Sequence, residues 1–189
     1  MVKVILLPIC LIVCVAICFG QANKPARPDL SGTWEFDSGR SDVGKPKSSS
    51  PEQIKITHHD PELIIKRTVA INGVEQERDL TYYTDGRGEK NPTTAWVTTN
   101  PGADSYRPTE TTSKTTWDKD KIVTRSVSRS YAGTAIVEFE IIDELRLSSD
   151  GKTLTKITRT VPKKDVTANV AFITGNGADF KVVYKLISK

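Results

Sequence analysis

The chain has 189 residues, 27 Lys and Arg against 23 Asp and Glu, a formal net charge of +4 and 37% apolar residues. Basic and acidic residues are interleaved with no arginine-rich run and no nucleic-acid motif, which argues against a nucleic-acid partner. All three cysteines, Cys10, Cys14 and Cys18, lie near the start of the chain. Beyond them, disulfides, thiol catalysis and Cys-based metal sites are excluded.

Met1 and Lys3 form a short basic region, and Val4 to Phe19 is almost wholly apolar, interrupted by Pro8. Gly20-Gln21-Ala22 places small residues at −3 and −1 before Asn23. This is the layout of a secretory signal peptide over 1–22. The apolar run falls short of the roughly 20 residues a bilayer span needs, so no membrane span is expected in the mature chain. The expected destination is secreted or periplasmic. Val15-Ala16-Ile17-Cys18 loosely resembles a bacterial lipoprotein processing site. Ile17 is bulky where such sites carry Gly or Ala, which argues against lipid anchoring at Cys18.

Residues 23–29, with Pro25 and Pro28, read as an extended linker, and 30–189 as one domain of ordinary size. Leu30-Ser31-Gly32-Thr33-Trp34-Glu35-Phe36-Asp37 reads as its first strand. Ser38 to Pro51, rich in Ser, Gly, Lys and Pro, reads as a long loop. Period-two alternation dominates after that. Ile54 and Ile56 alternate with Lys55 and Thr57. Leu63, Ile65, Val69 and Ile71 share one parity and run into Asn72-Gly73, a strong hairpin signal. The return strand spans about Glu75 to Thr84 and ends at Asp85-Gly86.

Gly88 to Pro108 holds three prolines and reads as irregular, with a short strand around Thr94 to Thr98. A Thr-rich strand ends at Trp117, and Asp118-Lys119-Asp120 turns into Lys121 to Tyr131. Ala132-Gly133 turns the chain into a strand whose one face carries Val137, Phe139, Ile141, Leu145 and Leu147. Asp150-Gly151 leads to Thr153 to Val161. A last strand spans Phe180 to Ile187, preceded by a short one at Val170 to Thr174. No amphipathic helix is evident. About nine strands, within a range of eight to ten, joined mostly by short turns predict an all-β, up-and-down antiparallel barrel. Closure would remove the edges that invite aggregation. A two-sheet β-sandwich is the alternative.

At Gly32-Thr33-Trp34 the chain resembles the lipocalin-like, or calycin, barrels, and most closely small exported lipocalin-like proteins of bacteria. The resemblance is carried in order by SGTWEFD with Ser41 downstream, LTYYTDG at Leu80 to Gly86, TTWDKDKIV at Thr115 to Val123, LRLSSDGKTLTKITRT at Leu145 to Thr160 and VVYK at Val182 to Lys185. It implies that Gly32 and Trp34 close one end of the barrel. The best-known lipocalins differ in having a disulfide and later short motifs that this chain lacks. Fold alone leaves function open, because such barrels host many roles.

Arg67 shares parity with Leu63, Ile65 and Val69. Arg125 shares it with Val123 and Val127, with Arg129 continuing that face, and Arg159 with Ile157 and Val161. Asp143 lies among Phe139, Ile141 and Leu145. Period two then puts several charges on apolar faces. If those faces are the interior, the charges must pair or meet ligand or water. Related barrels that carry fatty acids hold the carboxylate with interior arginines, a task suited to the guanidinium fork. Outer faces also carry β-branched residues, in which case the arginines are solvated. For Lys121 to Tyr131 the opposite face is Ile122, Thr124, Ser126 and Ser128, and parity leaves the choice open.

His58 and His59 are adjacent, point to opposite faces of a strand and lack metal-ligand spacing, so no metal site is expected. No nucleophile elbow and no thiol support catalysis. Gly86-Arg87-Gly88 lacks the strand-to-helix context of a phosphate loop and reads as a turn. Trp96, in the Pro- and Gly-rich region, is the best pocket aromatic. The leading expectation is an exported, non-enzymatic, cofactor-free barrel. It would bind a small hydrophobic or amphipathic ligand, anionic where the arginines face inward. Arg67, Arg125 and Arg159 would orient the polar end, and Phe139, Ile141 and Trp96 would line the site. The alternative is a structural or protein-interaction module of the cell envelope with a filled core.

Overall fold

The computed structural model describes residues 27–43, 53–71, 74–98, 104–132, 135–163 and 179–189; side chains at 69–71, 94–98, 104–108, 129–132, 135–137 and 162 fall outside that description. The expected leader, the site at Cys18 and the expected strand at Val170 to Thr174 all lie outside the described residues.

Ten strands follow one another: β1 (Gly32–Phe36), β2 (Gln53–His59), β3 (Glu62–Ile71), β4 (Val74–Tyr83), β5 (Glu89–Thr98), β6 (Asp104–Asp118), β7 (Lys121–Ala132), β8 (Ala135–Leu147), β9 (Thr153–Pro162) and β10 (Phe180–Ser188). They form one continuous sheet in the order β4-β3-β2-β1-β10-β9-β8-β7-β6-β5. Every pairing is antiparallel. β1 lies against β10, so the two ends of the domain meet inside the sheet, while the terminal strands β4 and β5 approach each other. The result is an up-and-down, nearly closed barrel. One sheet of ten strands replaces the two-sheet alternative.

The local chemistry explains the hairpins. Ile71 pairs with Val74 across the Asn72-Gly73 step. Asp118 pairs with Lys121, and Lys119 between them takes a left-handed φ of 57°. Gly151 supplies φ +68° at the β8–β9 turn. Alternation is cleanest in β2, where Ile54, Ile56 and His58 are buried and Lys55, Thr57 and His59 are exposed.

The stretch expected to be irregular, Gly88 to Pro108, instead holds β5 and most of a long hairpin with β6. Pro92 and Pro108 are accommodated by position. Pro92 is on the terminal strand, and β6 pairs with β7 only from Ser113 onward, so at Pro108 it has a neighbour on one side alone. A missing N–H is tolerated at such edges.

The core fills the end of the barrel that carries the β2–β3, β4–β5, β6–β7 and β8–β9 turns. Trp34 is fully buried there, with Leu30, Ile56, Leu63, Ile122 and Leu154. Its indole Nε1–H donates to the Leu30 carbonyl at 3.0 Å. Burying an indole is worth on the order of 4 kcal/mol at about 25 cal/mol per Å². Gly32 sits at φ +144°, and a Cβ there would lie 2.7 Å from Leu186 Cδ1 and 2.8 Å from the Ser188 carbonyl. Gly32 thus lets the β1 and β10 backbones approach while Trp34 fills the space inside.

Arg27 lies across this end. It pairs with Asp60 at 2.5 Å and stands 5.4 Å from the Trp117 ring centroid. Asp60 also accepts from Thr84 Oγ1 at 2.5 Å and from Trp117 Nε1 at 2.8 Å. Burial raises the Asp60 pKa, but these donors outweigh it and hold the carboxyl below its usual range.

Candidate functional site

A cavity of about 70 Å³ lies inside the barrel, above the Trp34 layer. β2 contributes Ile54, β3 contributes Leu63, Ile65 and Arg67, and β4 contributes Leu80 and Tyr82. From across the barrel come Ile122 and Thr124 of β7, Asp143 and Leu145 of β8, Lys156 of β9 and Tyr184 of β10. Register explains the convergence. Thr124, Asp143 and Thr158 are consecutive cross-strand partners, and Ile54, Arg67 and Arg78 are another such row.

The two sides differ in how their charges are satisfied. Asp143 meets Lys156 Nζ at 3.0 Å and accepts from Thr158 Oγ1 at 2.5 Å. Among the described residues Arg67 has no such partner. Its Nε is buried and makes no hydrogen bond. Tyr82 and Tyr184 flank it, and burial pushes both phenols up to about 12, with Asp143 adding to the rise and Arg67 opposing it. Both are neutral hydroxyl donors near neutral pH. The site therefore offers one uncommitted guanidinium and two phenols over an apolar floor of Leu63, Ile65, Leu80 and Leu145.

Of the residues expected to form a site, Arg67 faces inward and lines this cavity. Arg125 does not. Its side chain is 54% exposed and pairs with Glu140 at 3.3 Å on the outer face. Arg159 is outside as well, between Glu144 and Asp179, each at 2.8 Å. Both orientations correct the parity reading of β7 and β9, which carry β-branched residues on both faces. Val127 and Val161, which suggested the inward side, are 44% and 42% exposed. The inward sets are Ile122, Thr124, Ser126 and Ser128 in β7, and Leu154, Lys156 and Thr158 in β9.

Phe139 is buried and shares the inward parity of Asp143 and Leu145, as does half-buried Ile141; neither lines the cavity. Trp96 lies on β5 opposite Tyr106, and its side chain is outside the description. Lys156, Tyr82 and Tyr184 complete the cavity wall and were not anticipated. The signal for Lys156 was present in its phase with Leu154, but Ile157 and Val161 drew attention to the opposite face.

A second buried polar group sits at the β4–β5 seam. Glu89 accepts from Ser113 Oγ and Thr115 Oγ1, each at 2.7 Å, and from the Tyr83 amide at 3.3 Å. Its carboxylate is fully committed to joining strands. His58 is buried and His59 exposed, on opposite faces as strand geometry requires. Among the described residues no group of three or more His, Cys, Asp or Glu could hold a metal ion.

The fold and site define a ten-stranded, up-and-down antiparallel, nearly closed barrel with a small charged cavity in its interior. Neither a protein-family model, a curated protein nor a solved structure matches the chain.

Proposed function

We propose that this chain is an exported, lipocalin-like binding protein that holds a small, partly apolar anion in the barrel interior, with Arg67 as its anchor. The observation that carries the reading is the buried, partnerless Arg67 Nε on the cavity wall. A buried N–H without an acceptor is costly, and an anion entering the cavity removes that cost. The leader-like segment at 1–22 supports export.

The size of the cavity sets what fits. Ligand pockets span roughly 300–1,000 Å³. The cavity at Arg67 holds about 70 Å³, room for roughly two waters. A polar headgroup fits there, with any apolar tail running along the inner wall away from the Trp34 layer. The same small volume favours a second reading, a structural or interaction module whose interior is filled.

Native mass spectrometry of protein purified from its own compartment, with isothermal titration using dodecanoate, separates the two. The carrier reading expects a co-purifying anion or dodecanoate binding that Arg67→Gln abolishes. No bound species and no heat of binding leave the filled module.

A further inference from the structure

We propose that Arg67 and Arg78 together form a clamp for a doubly charged oxyanion, a phosphate or phosphate monoester, on the inner face of the β3–β4 hairpin. The proposal rests on the interior-anion reading above and specifies the charge and chemistry of the ligand. Arg67 and Arg78 are direct cross-strand partners. Arg67 follows Leu63 and Ile65 along the inward parity of β3, and Arg78 precedes Leu80 and Tyr82 along that of β4. Arg78 is partly buried while its neighbours Glu77 and Asp79 are exposed.

Like charges placed directly opposite on one sheet face repel, because their Cβ atoms stand only about 5 Å apart. Among the described residues neither arginine has a hydrogen bond or an ion pair. The nearby acids are committed elsewhere. Glu77 and Asp79 lie on the outer face, each 3.8 Å from Lys66. Asp143 is matched by Lys156 and Thr158. Glu89 holds Ser113, Thr115 and the Tyr83 amide. Lys156, the other cation on the cavity wall, is thus neutralised, and two adjacent positive charges are left over among the described residues.

A monocarboxylate would compensate one of them. A phosphate dianion compensates both, and its oxygens suit two guanidinium forks better than a carboxylate pair does. The Tyr82 and Tyr184 hydroxyls supply further neutral donors, which a tetrahedral oxyanion can accept and a planar carboxylate has fewer oxygens to use.

The test is isothermal titration of the protein at pH 8 with dodecyl phosphate, dodecanoate and inorganic phosphate. Dodecyl phosphate is expected to bind at least about ten-fold more tightly than dodecanoate. Arg78→Gln should narrow that gap to within about two-fold, with a ligand-free melting temperature unchanged or raised. Arg78→Lys, which keeps the charge and loses the fork, should give an intermediate ratio. Lowering the pH through about 6, where a phosphate monoester dianion takes up a proton and becomes a monoanion, should weaken dodecyl phosphate relative to dodecanoate. This arm needs no variant and stands if Arg78→Gln fails to fold.

Equal affinity for the two amphiphiles in the unaltered protein, or a ratio that Arg78→Gln leaves unchanged, overturns the clamp and leaves the interior-anion reading standing. No binding of any probe overturns both. Displacement of dodecyl phosphate by inorganic phosphate supports the clamp with the free ion as sufficient ligand. Tight dodecyl phosphate binding that inorganic phosphate cannot displace supports it with a monoester as ligand.

Discussion

Asn91 closes the barrel onto Thr81. The Asn91 side-chain Oδ1 accepts from the Thr81 amide at 2.7 Å, and its Nδ2 donates to the Thr81 carbonyl at 2.8 Å. β4 and β5 are the two ends of the sheet order. At this point a side-chain amide stands in for the missing neighbour strand, presenting one donor and one acceptor in the geometry a peptide group would use. Glu89 repeats the device one step along, at the Tyr83 amide. The seam is therefore closed by residue identity, which makes it sensitive to single substitutions.

Asn91→Leu should destabilise the domain by about 2–3 kcal/mol, because it leaves a backbone donor and acceptor of Thr81 unsatisfied in a buried setting. Asn91→Asp should cost as much, since a carboxylate cannot donate to the Thr81 carbonyl. Urea unfolding measures the loss, and amide exchange at Thr81 should accelerate ahead of exchange in β2. An unchanged unfolding midpoint would remove the seam from the account of stability.

Gly32→Ala should lower stability by about 1–3 kcal/mol, because the substituted residue meets a φ of +144° and a Cβ contact below 3 Å to the Ser188 carbonyl. Gly151→Ala is the comparison. A Cβ at Gly151 meets nothing within 4 Å, so only the φ of +68° opposes it. The thermal midpoint should fall further for Gly32→Ala than for Gly151→Ala.

His58 gives the domain a pH dependence distinct from that of its carboxylates. Burial lowers its pKa, and Asp60 and Asp29 oppose the shift without reversing it. The folded pKa thus lies below the unfolded one, so the unfolded chain takes up the proton first. Stability is full above the unfolded value near pH 6.5 and falls as pH drops from there through the folded pKa. Asp29, Asp37 and Asp60 are lowered from 3.8, so their contribution is present above that value and lost further into acid. Denaturant unfolding between about pH 7 and pH 5 should show a decline that is absent from His58→Gln.

Arg67→Leu should leave the ligand-free domain as stable or more stable, since it removes a buried Nε–H that has no acceptor, and should abolish binding of dodecanoate. Arg125→Leu should change stability by less than about 1 kcal/mol, because its pair with Glu140 is solvent-screened, and should leave binding intact. Loss of binding in both variants would place the ligand outside the barrel interior.

Much of this architecture was legible locally. Alternation in β2 and β3, Asp118 to Asp120 and Asp150-Gly151 each act within a few residues, and each marks a strand or turn where one forms. Gly32 and Trp34 mark the filled end for an equally local reason: one clears backbone, the other fills volume. The β5–β6 hairpin was not legible, because a proline's effect depends on whether a neighbour strand needs its N–H.

Sequence by itself determined an all-β chain of short, sequential, antiparallel strands, since hydrophobic period and turn chemistry are properties of adjacent residues. Tertiary structure alone decided which face of each strand became the interior. Period two defines two faces without choosing between them, and β7 and β9 present β-branched residues on both. The choice came from cross-strand register, which aligns Asp143 with Thr124 and Thr158 inside and leaves Arg125 and Arg159 among glutamates outside. The same register sets Arg67 beside Arg78, a juxtaposition of residues that only the pairing of β3 with β4 brings together.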